Sequence, residues 1–247
     1  MHPSVTLQTI GQGIVQMTME DRETRNAFSP RLVQDLVHAF EDVGRRDDCK
    51  VVVLTGYDSF FSTGGTREGL LALQSGRGTF ADTNIYSLPL ECPVPVISAV
   101  QGHALGGGFV LGLYADFVLL SRESVYTTNF MEYGFTPGMG ATLVVPMKLG
   151  TALGHEMLLA AQTYRGQELK DRGVPFAVYP RDQVLDKAIE MARRLADKPR
   201  LSLVTLKEHL TATLRRELPT VVAQEVVMHE KTFRQAGVRE RIEKLLA

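Results

Sequence analysis

Two glycine turns are the part of this chain best suited to chemistry. An apolar, β-branched run (Val94, Val96, Ile97, Val100) stops at Gly102, and three consecutive glycines, Gly106 to Gly108, follow it. A run with helical spacing comes next, then Asp116 and a second apolar run. A strand that breaks into glycines at the mouth of a helix leaves backbone N–H groups bare and similarly directed. Upstream, the buried-strand pattern Lys50 to Gly56 runs into Phe60-Phe61-Ser62-Thr63-Gly64-Gly65. An amide from Gly65 and one from the triple glycine, converging on one oxygen, would make an oxyanion hole for a thioester or acyl carbonyl. A third candidate, His229, lies among Val222, Val226 and Phe233 at helical spacing. That pattern alone reads as a partly buried histidine packed in a helix and held by Glu225 or Glu230.

The elements that must position these groups alternate. Val5 to Leu7 and Gly13 to Met19 read as an antiparallel hairpin. Ser29-Pro30 opens a helix with apolar positions Leu32, Val33, Leu36, Val37 and Phe40. Val51 to Leu54, Val94 to Val100, Phe117 to Leu120 and Val174 to Tyr179 read as strands. Glu68 to Gln74 starts a helix that Ser75 to Thr79 would end, making 68–83 a mobile segment. Thr142 to Leu149, Leu153 to Ala161 and Gln183 to Asp197 read as helices. After Lys198-Pro199 the strand signal fades, and Leu201 to Leu214 and Val221 to Phe233 read as two helices separated by Pro219. The class is α/β, with a core over 1–198 and a helical tail over 199–247. That tail must pack on the core or on another subunit to bury its apolar faces.

The chain has 247 residues, is 44% hydrophobic and carries a formal net charge of −1, which supports a sizeable core. Near-neutral charge argues against a general nucleic-acid or membrane-surface protein. Cys49 and Cys92 show no metal spacing and read as buried thiols, in keeping with a reducing cytoplasm. No signal peptide or membrane-spanning run is visible.

The blocks Phe60 to Gly65 and Ile97 to Ser121 resemble the two signatures of the crotonase (enoyl-CoA hydratase/isomerase) superfamily. Arg25 to Ser29 and Gly134 to Gly140 resemble two further blocks, in the same order, and the resemblance covers essentially the whole chain. It implies a spiral of β-β-α turns with a C-terminal helical trimerisation region, and a thioester oxygen held by the N–H groups of Gly65 and Gly107. Hydratases of the superfamily use two glutamates to handle water. Their positions fall here on Val110 and Phe130, neither of which can transfer a proton. Glu132 is a displaced candidate two residues on.

Within the superfamily, Gly78 to Leu90, Ser121 to Pro146, Tyr164 to Phe176, Lys198 to Leu210 and Met228 to Phe233 are similar to the decarboxylating branch of polyketide β-branching (HMG-synthase) cassettes. The resemblance implies conversion of 3-methylglutaconyl to 3-methylcrotonyl on an acyl carrier protein, through a dienolate. It makes His229 the proton donor, and implies no cofactor beyond carrier phosphopantetheine or CoA. The branch also uses a loop lysine, yet this chain has no lysine between Lys50 and Lys148. Arg77 is the positional substitute to grip the leaving carboxylate, and Arg67 the second choice. Tyr86, Val110 and Phe130 are expected to line the pocket. Arg25, with Arg22, is expected to meet the phosphate or acidic helix of the carrier, and His103 is expected only to pack. The alternatives are a hydratase or isomerase using Glu132, and a non-catalytic binding protein of the same fold.

Overall fold

The computed structural model describes residues 3–82 and 84–246. Met1, His2, Thr83 and Ala247 lie outside the described residues, so the readings that touch them, the leader and the loop end at Thr83, rest on sequence. The N-terminal hairpin is β1 (Val5–Gly11) and β2 (Ile14–Met19), antiparallel. Helix α1 (Pro30–Arg45) follows, its first turn capped by Ser29, whose hydroxyl accepts from the Leu32 N–H.

Three β-β-α turns then stack. The first is β3 (Val51–Thr55), β4 (Phe60–Ser62) and α2 (Arg67–Gln74). The four-residue helix α3 (Leu88–Glu91) leads into the second turn: β5 (Val96–Val100), β6 (His103–Leu105) and α4 (Gly107–Leu113). The third is β7 (Phe117–Ser121), β8 (Val125–Thr127), a 3-10 turn over Asn129–Tyr133, and α5 (Ala141–Leu149). Helix α6 (Thr151–Ala160), β9 (Tyr164–Arg165), α7 (Gly166–Asp171), β10 (Ala177–Tyr179) and α8 (Arg181–Ala196) complete the core.

The first strand of each turn enters one sheet, of order β1-β2-β3-β5-β7-β10, and the second strand enters another, β4-β6-β8-β9. In the larger sheet β2, β3, β5, β7 and β10 run parallel. Both faces of these parallel strands are covered, so β3 and β5 are buried at every residue. One face meets α8 through Val51, Val53, Ile97 and Ala188, and the other meets the main core. The mixed α/β architecture agrees with the expected spiral.

The helical tail differs from its reading. Arg200–Thr232 is one helix, α9, with Pro219 inside it, and α10 (Val238–Leu245) follows. Proline removes a single backbone donor, and burial of Leu218 and Val222 on either side holds the helix through that gap. The strand expected from Val174 begins only at Ala177.

Lys207 anchors α9 to the core. Its buried ammonium donates to the Pro89 carbonyl at 2.8 Å, the Val94 carbonyl at 3.0 Å and Asp116 Oδ2 at 2.8 Å. Removing one partner of a buried pair strands the other. Lys207→Ala is expected to lower unfolding free energy by about 3–5 kcal/mol, read as a drop in the urea midpoint. Cys49 and Cys92 are free, buried thiols.

Candidate active site

Strands β4 and β6 pair in parallel, Phe60 with His103 and Ser62 with Ala104. Their C-terminal ends therefore emerge side by side, one into Gly64-Gly65 and the other into Gly106-Gly107. The approach is close: a Cβ on Gly64 would lie 2.7 Å from the Leu105 carbonyl and 3.3 Å from the Gly107 nitrogen. Gly64 has φ +81°, which glycine alone adopts without strain. Asn26 ties the turn below, donating to the Met19 and Phe61 carbonyls. Among the described residues, neither the Gly65 nor the Gly107 N–H donates to a protein acceptor.

Both glycines line a cavity of about 320 Å³. Of the residues expected there, Arg77, Tyr86 and Phe130 line it too. Arg77 is exposed at its edge; its Nε donates to Ser75 Oγ at 3.1 Å, and among the described residues it pairs with no carboxylate. Tyr86 and Phe130 are buried.

The remaining residues fall outside this cavity. Val110 is fully buried in the core beside α4's glycines and lines neither this cavity nor a second, adjoining one described below. Arg67 starts α2 on the exposed surface and lines neither, although its neighbours Thr66 and Gly69 line the first. Arg25 is exposed outside both, its guanidinium 5.6 Å from the Phe60 ring centre. Arg22 is occupied by Glu20 and Asp58, with its guanidinium 4.6 Å from the Tyr57 ring centre. Glu132 is exposed and lines neither cavity, so the displaced acid weighed for a hydratase or isomerase is not in place. His103 accepts from the Val125 N–H through Nδ1, a packing role.

His229 lines a second cavity of about 130 Å³ that adjoins the first. Its Nε2 lies 2.6 Å from the Thr136 carbonyl, so that nitrogen carries a proton and donates it. Glu225 and Glu230, the partners expected for it, do not hold it. Glu225 instead accepts from the Gly140 N–H, the Thr142 N–H and the Thr142 hydroxyl, tying α9 to the start of α5.

Burial pushes the His229 imidazole down to about 4, against partial relief from the Thr136 and Pro137 backbone. Unfolded histidine titrates near 6.5. Between these values the unfolded chain binds a proton that the native chain refuses. Stability from this group is full above about pH 6.5 and falls as pH drops toward 4. The expected loss is about 3 kcal/mol, visible as a falling urea midpoint in the native protein that His229→Gln flattens over the same window.

The sequence reading missed the aromatic wall. Phe80 lines both cavities, and its ring centre lies 4.7 Å from that of His229. Tyr133 stacks on Phe135 at 5.5 Å and accepts from Asn129 Nδ2 at 3.3 Å. Asn129 in turn lies against Gly106 in the hole. Asp82 also lines the first cavity, but both its oxygens accept from Thr79, which holds its carboxyl below the usual range and ionised.

A strand-ended pair of free amides beside an acyl-sized cavity, on a β-β-α spiral, defines a thioester-binding enzyme fold. The enoyl-CoA hydratase/isomerase family matches residues 9–246, and the chain belongs to it. It is 58% identical over 244 residues to the bacillaene synthase decarboxylase PksI of Bacillus subtilis, covering 99% of this chain and 98% of that protein. A solved structure from a dehydratase/decarboxylase enzyme couple of polyketide β-branching superposes with a TM-score of 0.97 at 58% identity, covering 98% and 96% of the two chains. The ECH2 decarboxylase domain of CurF from Lyngbya majuscula superposes with a TM-score of 0.95 at 44% identity, covering 99% and 100%.

Proposed function

We propose that this chain decarboxylates a 3-methylglutaconyl thioester on an acyl carrier protein to the 3-methylcrotonyl thioester, in polyketide β-branch formation. The observation that carries the reading is the pairing of two free amides with a first-cavity wall that, among the described residues, offers no untethered carboxylate; Glu230 lines the second cavity, beside His229. By the family resemblance Phe130 falls at one water-handling position and Val110 at the other, and both side chains are buried. Asp82, the carboxylate on the first cavity's wall among the described residues, is tied to Thr79. The similarity to named decarboxylases supports the same chemistry.

In this reading the thioester oxygen accepts from the Gly65 and Gly107 N–H groups. Arg77 holds the distal carboxylate near the cavity edge. The bond to that carboxylate breaks, carbon dioxide leaves, and the electron pair enters the conjugated thioester as a dienolate. The amides bind the dienolate oxygen more strongly than the ground-state carbonyl, because it carries more charge. An apolar wall favours a step in which a localised carboxylate charge disappears.

His229 returns the proton. The neutral imidazole is a weak acid, but the entering carboxylate favours its protonated form. The neutral imidazole takes a proton from solvent to become imidazolium, gives it to the dienolate carbon, and ends neutral. One proton is consumed for each carbon dioxide released.

The reading calls for no cofactor beyond the pantetheine arm. Arg25, exposed beside Phe60, is the residue we assign to the carrier phosphate or its acidic helix; Arg22 is already paired. The exposed Leu201, Leu206 and Leu210 on α9 support packing of the tail in a homotrimer.

The deciding experiment is mass spectrometry of a 3-methylglutaconyl carrier domain incubated with the purified protein. Loss of one carbon dioxide is expected. An unchanged mass, or addition of water, overturns the reading.

A further inference from the structure

The two cavities share one wall. Leu73, Gly78, Thr79 and Phe80 line both, while the oxyanion glycines line only the first and His229 only the second. A proton donor must come within hydrogen-bond reach of the atom it serves. With the Phe80 ring in this wall, His229 lines a different cavity from the one the oxyanion glycines line.

We propose that Phe80 is a positioning residue that divides one substrate site in two, and that the carboxylate-bearing end of the acyl group displaces it. The two chambers then join, and His229 meets the dienolate carbon. This deepens the proposed decarboxylase reading and rests on it for the identity of the acyl group.

Three observations carry the proposal. First, the ring is held by packing and not by hydrogen bonds: its centre lies 4.7 Å from His229, 5.7 Å from Phe233 and 6.2 Å from Phe135, and it rests against the main core. Second, every hydrogen bond of residues 75–82, among the described residues, stays within 71–82. The Ser75, Gly76 and Arg77 N–H groups donate to Leu71, Leu73 and Ala72, and Thr79 and Asp82 close on each other. Displacing Phe80 therefore breaks, among the described residues, no hydrogen bond to any residue outside 71–82. Third, Gly76 and Gly78, both just before Phe80 within the segment, have φ +78° and φ +97°, backbone states open to glycine that allow the chain to turn there.

The charges at the segment suit a carboxylate trigger. Arg77 and Asp82 sit at the two ends of the Phe80 turn, and both line the first cavity. An entering carboxylate is drawn to Arg77 and repelled by Asp82. Drawing one end inward while pushing the other away loosens the Thr79–Asp82 clip that fixes the Phe80 backbone.

The chain contains no tryptophan, so Phe80→Trp places a single fluorophore in the shared wall. Its emission is titrated with a pantetheine amide of 3-methylglutaconate, and in parallel with the 3-methylcrotonyl amide, which lacks the carboxylate. Calorimetry establishes saturation. A red shift with the carboxylate analogue and little shift with the other is expected. Unmoved emission at saturation overturns the proposal.

Phe80→Ala supplies a kinetic readout. It removes the ring that the substrate must displace, so KM is expected to fall severalfold with kcat within tenfold of the parent. A raised KM at unchanged kcat marks an ordinary binding wall and overturns the proposal. If alanine unfolds the chain, Phe80→Leu is read the same way.

The analogue titration needs no turnover. Carbon dioxide release with unmoved emission therefore sinks the gate and spares the decarboxylase reading. The converse pair of results sinks the decarboxylase reading alone.

Discussion

His229→Ala is expected to lose decarboxylation by about 10²- to 10⁴-fold, the range for a positioned proton donor. Folding should survive the change. Among the described residues the side chain hydrogen-bonds to the Thr136 carbonyl alone, and its aromatic neighbours are Phe80, Phe135 and Phe233, which also contact one another. The main tie of α9 to the site, Glu225 on the start of α5, is untouched. The loss should therefore fall on kcat in single-turnover carbon dioxide release. Binding of the 3-methylglutaconyl pantetheine amide should change little, because Gly65, Gly107 and Arg77 remain. Activity within threefold of the parent removes the histidine from the mechanism. Weakened binding at full single-turnover rate makes it a substrate contact instead.

The two halves of the hole were legible because glycine runs at strand ends are rare and chemically pointed. Their convergence was not. It depends on β4 and β6, each three residues long, pairing in parallel. Three residues are too few for a period-2 pattern to register.

Val110 shows the opposite limit. Its residue type was informative, since valine moves no proton, yet its place in the core and not on the wall follows from close packing. A Cβ on neighbouring Gly108 would lie 2.3 Å from the Ser62 carbonyl, so α4 sits hard against β4. Phe80 carried a faint signal, an aromatic residue in an otherwise small and polar stretch from Ser75 to Ala81. Without the position of α9 it had no partner to pack on.

Glu225 and His229 fall four apart on one helix, and that spacing suggested a pair. The fold gives each a different backbone partner, in the turn before α5. Pro219 misled in a similar way: local propensity marked a break, and buried neighbours at 218 and 222 overrode it.

The sharpest test of the hole itself is Gly106→Val. Gly106 has φ +51° and ψ −122°, a conformation closed to β-branched residues. A Cβ there would also lie 2.8 Å from Asn129 Oδ1. Valine must leave this state, and the 106–107 peptide turns with it, taking the Gly107 N–H out of the hole. Losing one oxyanion donor costs about 10²–10³ in kcat. Strain of this kind costs about 1–3 kcal/mol of stability as well, so a control must match the strain and spare the hole. Gly150 serves: φ +83° and ψ 150°, nothing within 4 Å of its Cβ position, and no part in either cavity. Gly150→Ala should lower the melting temperature comparably and leave carbon dioxide release unchanged. Gly106→Val should lower both, with KM nearly constant, because the amide acts more on the dienolate than on the bound thioester. If Gly106→Val melts early yet decarboxylates at the rate of Gly150→Ala, the dienolate oxygen is held elsewhere than on the Gly107 amide.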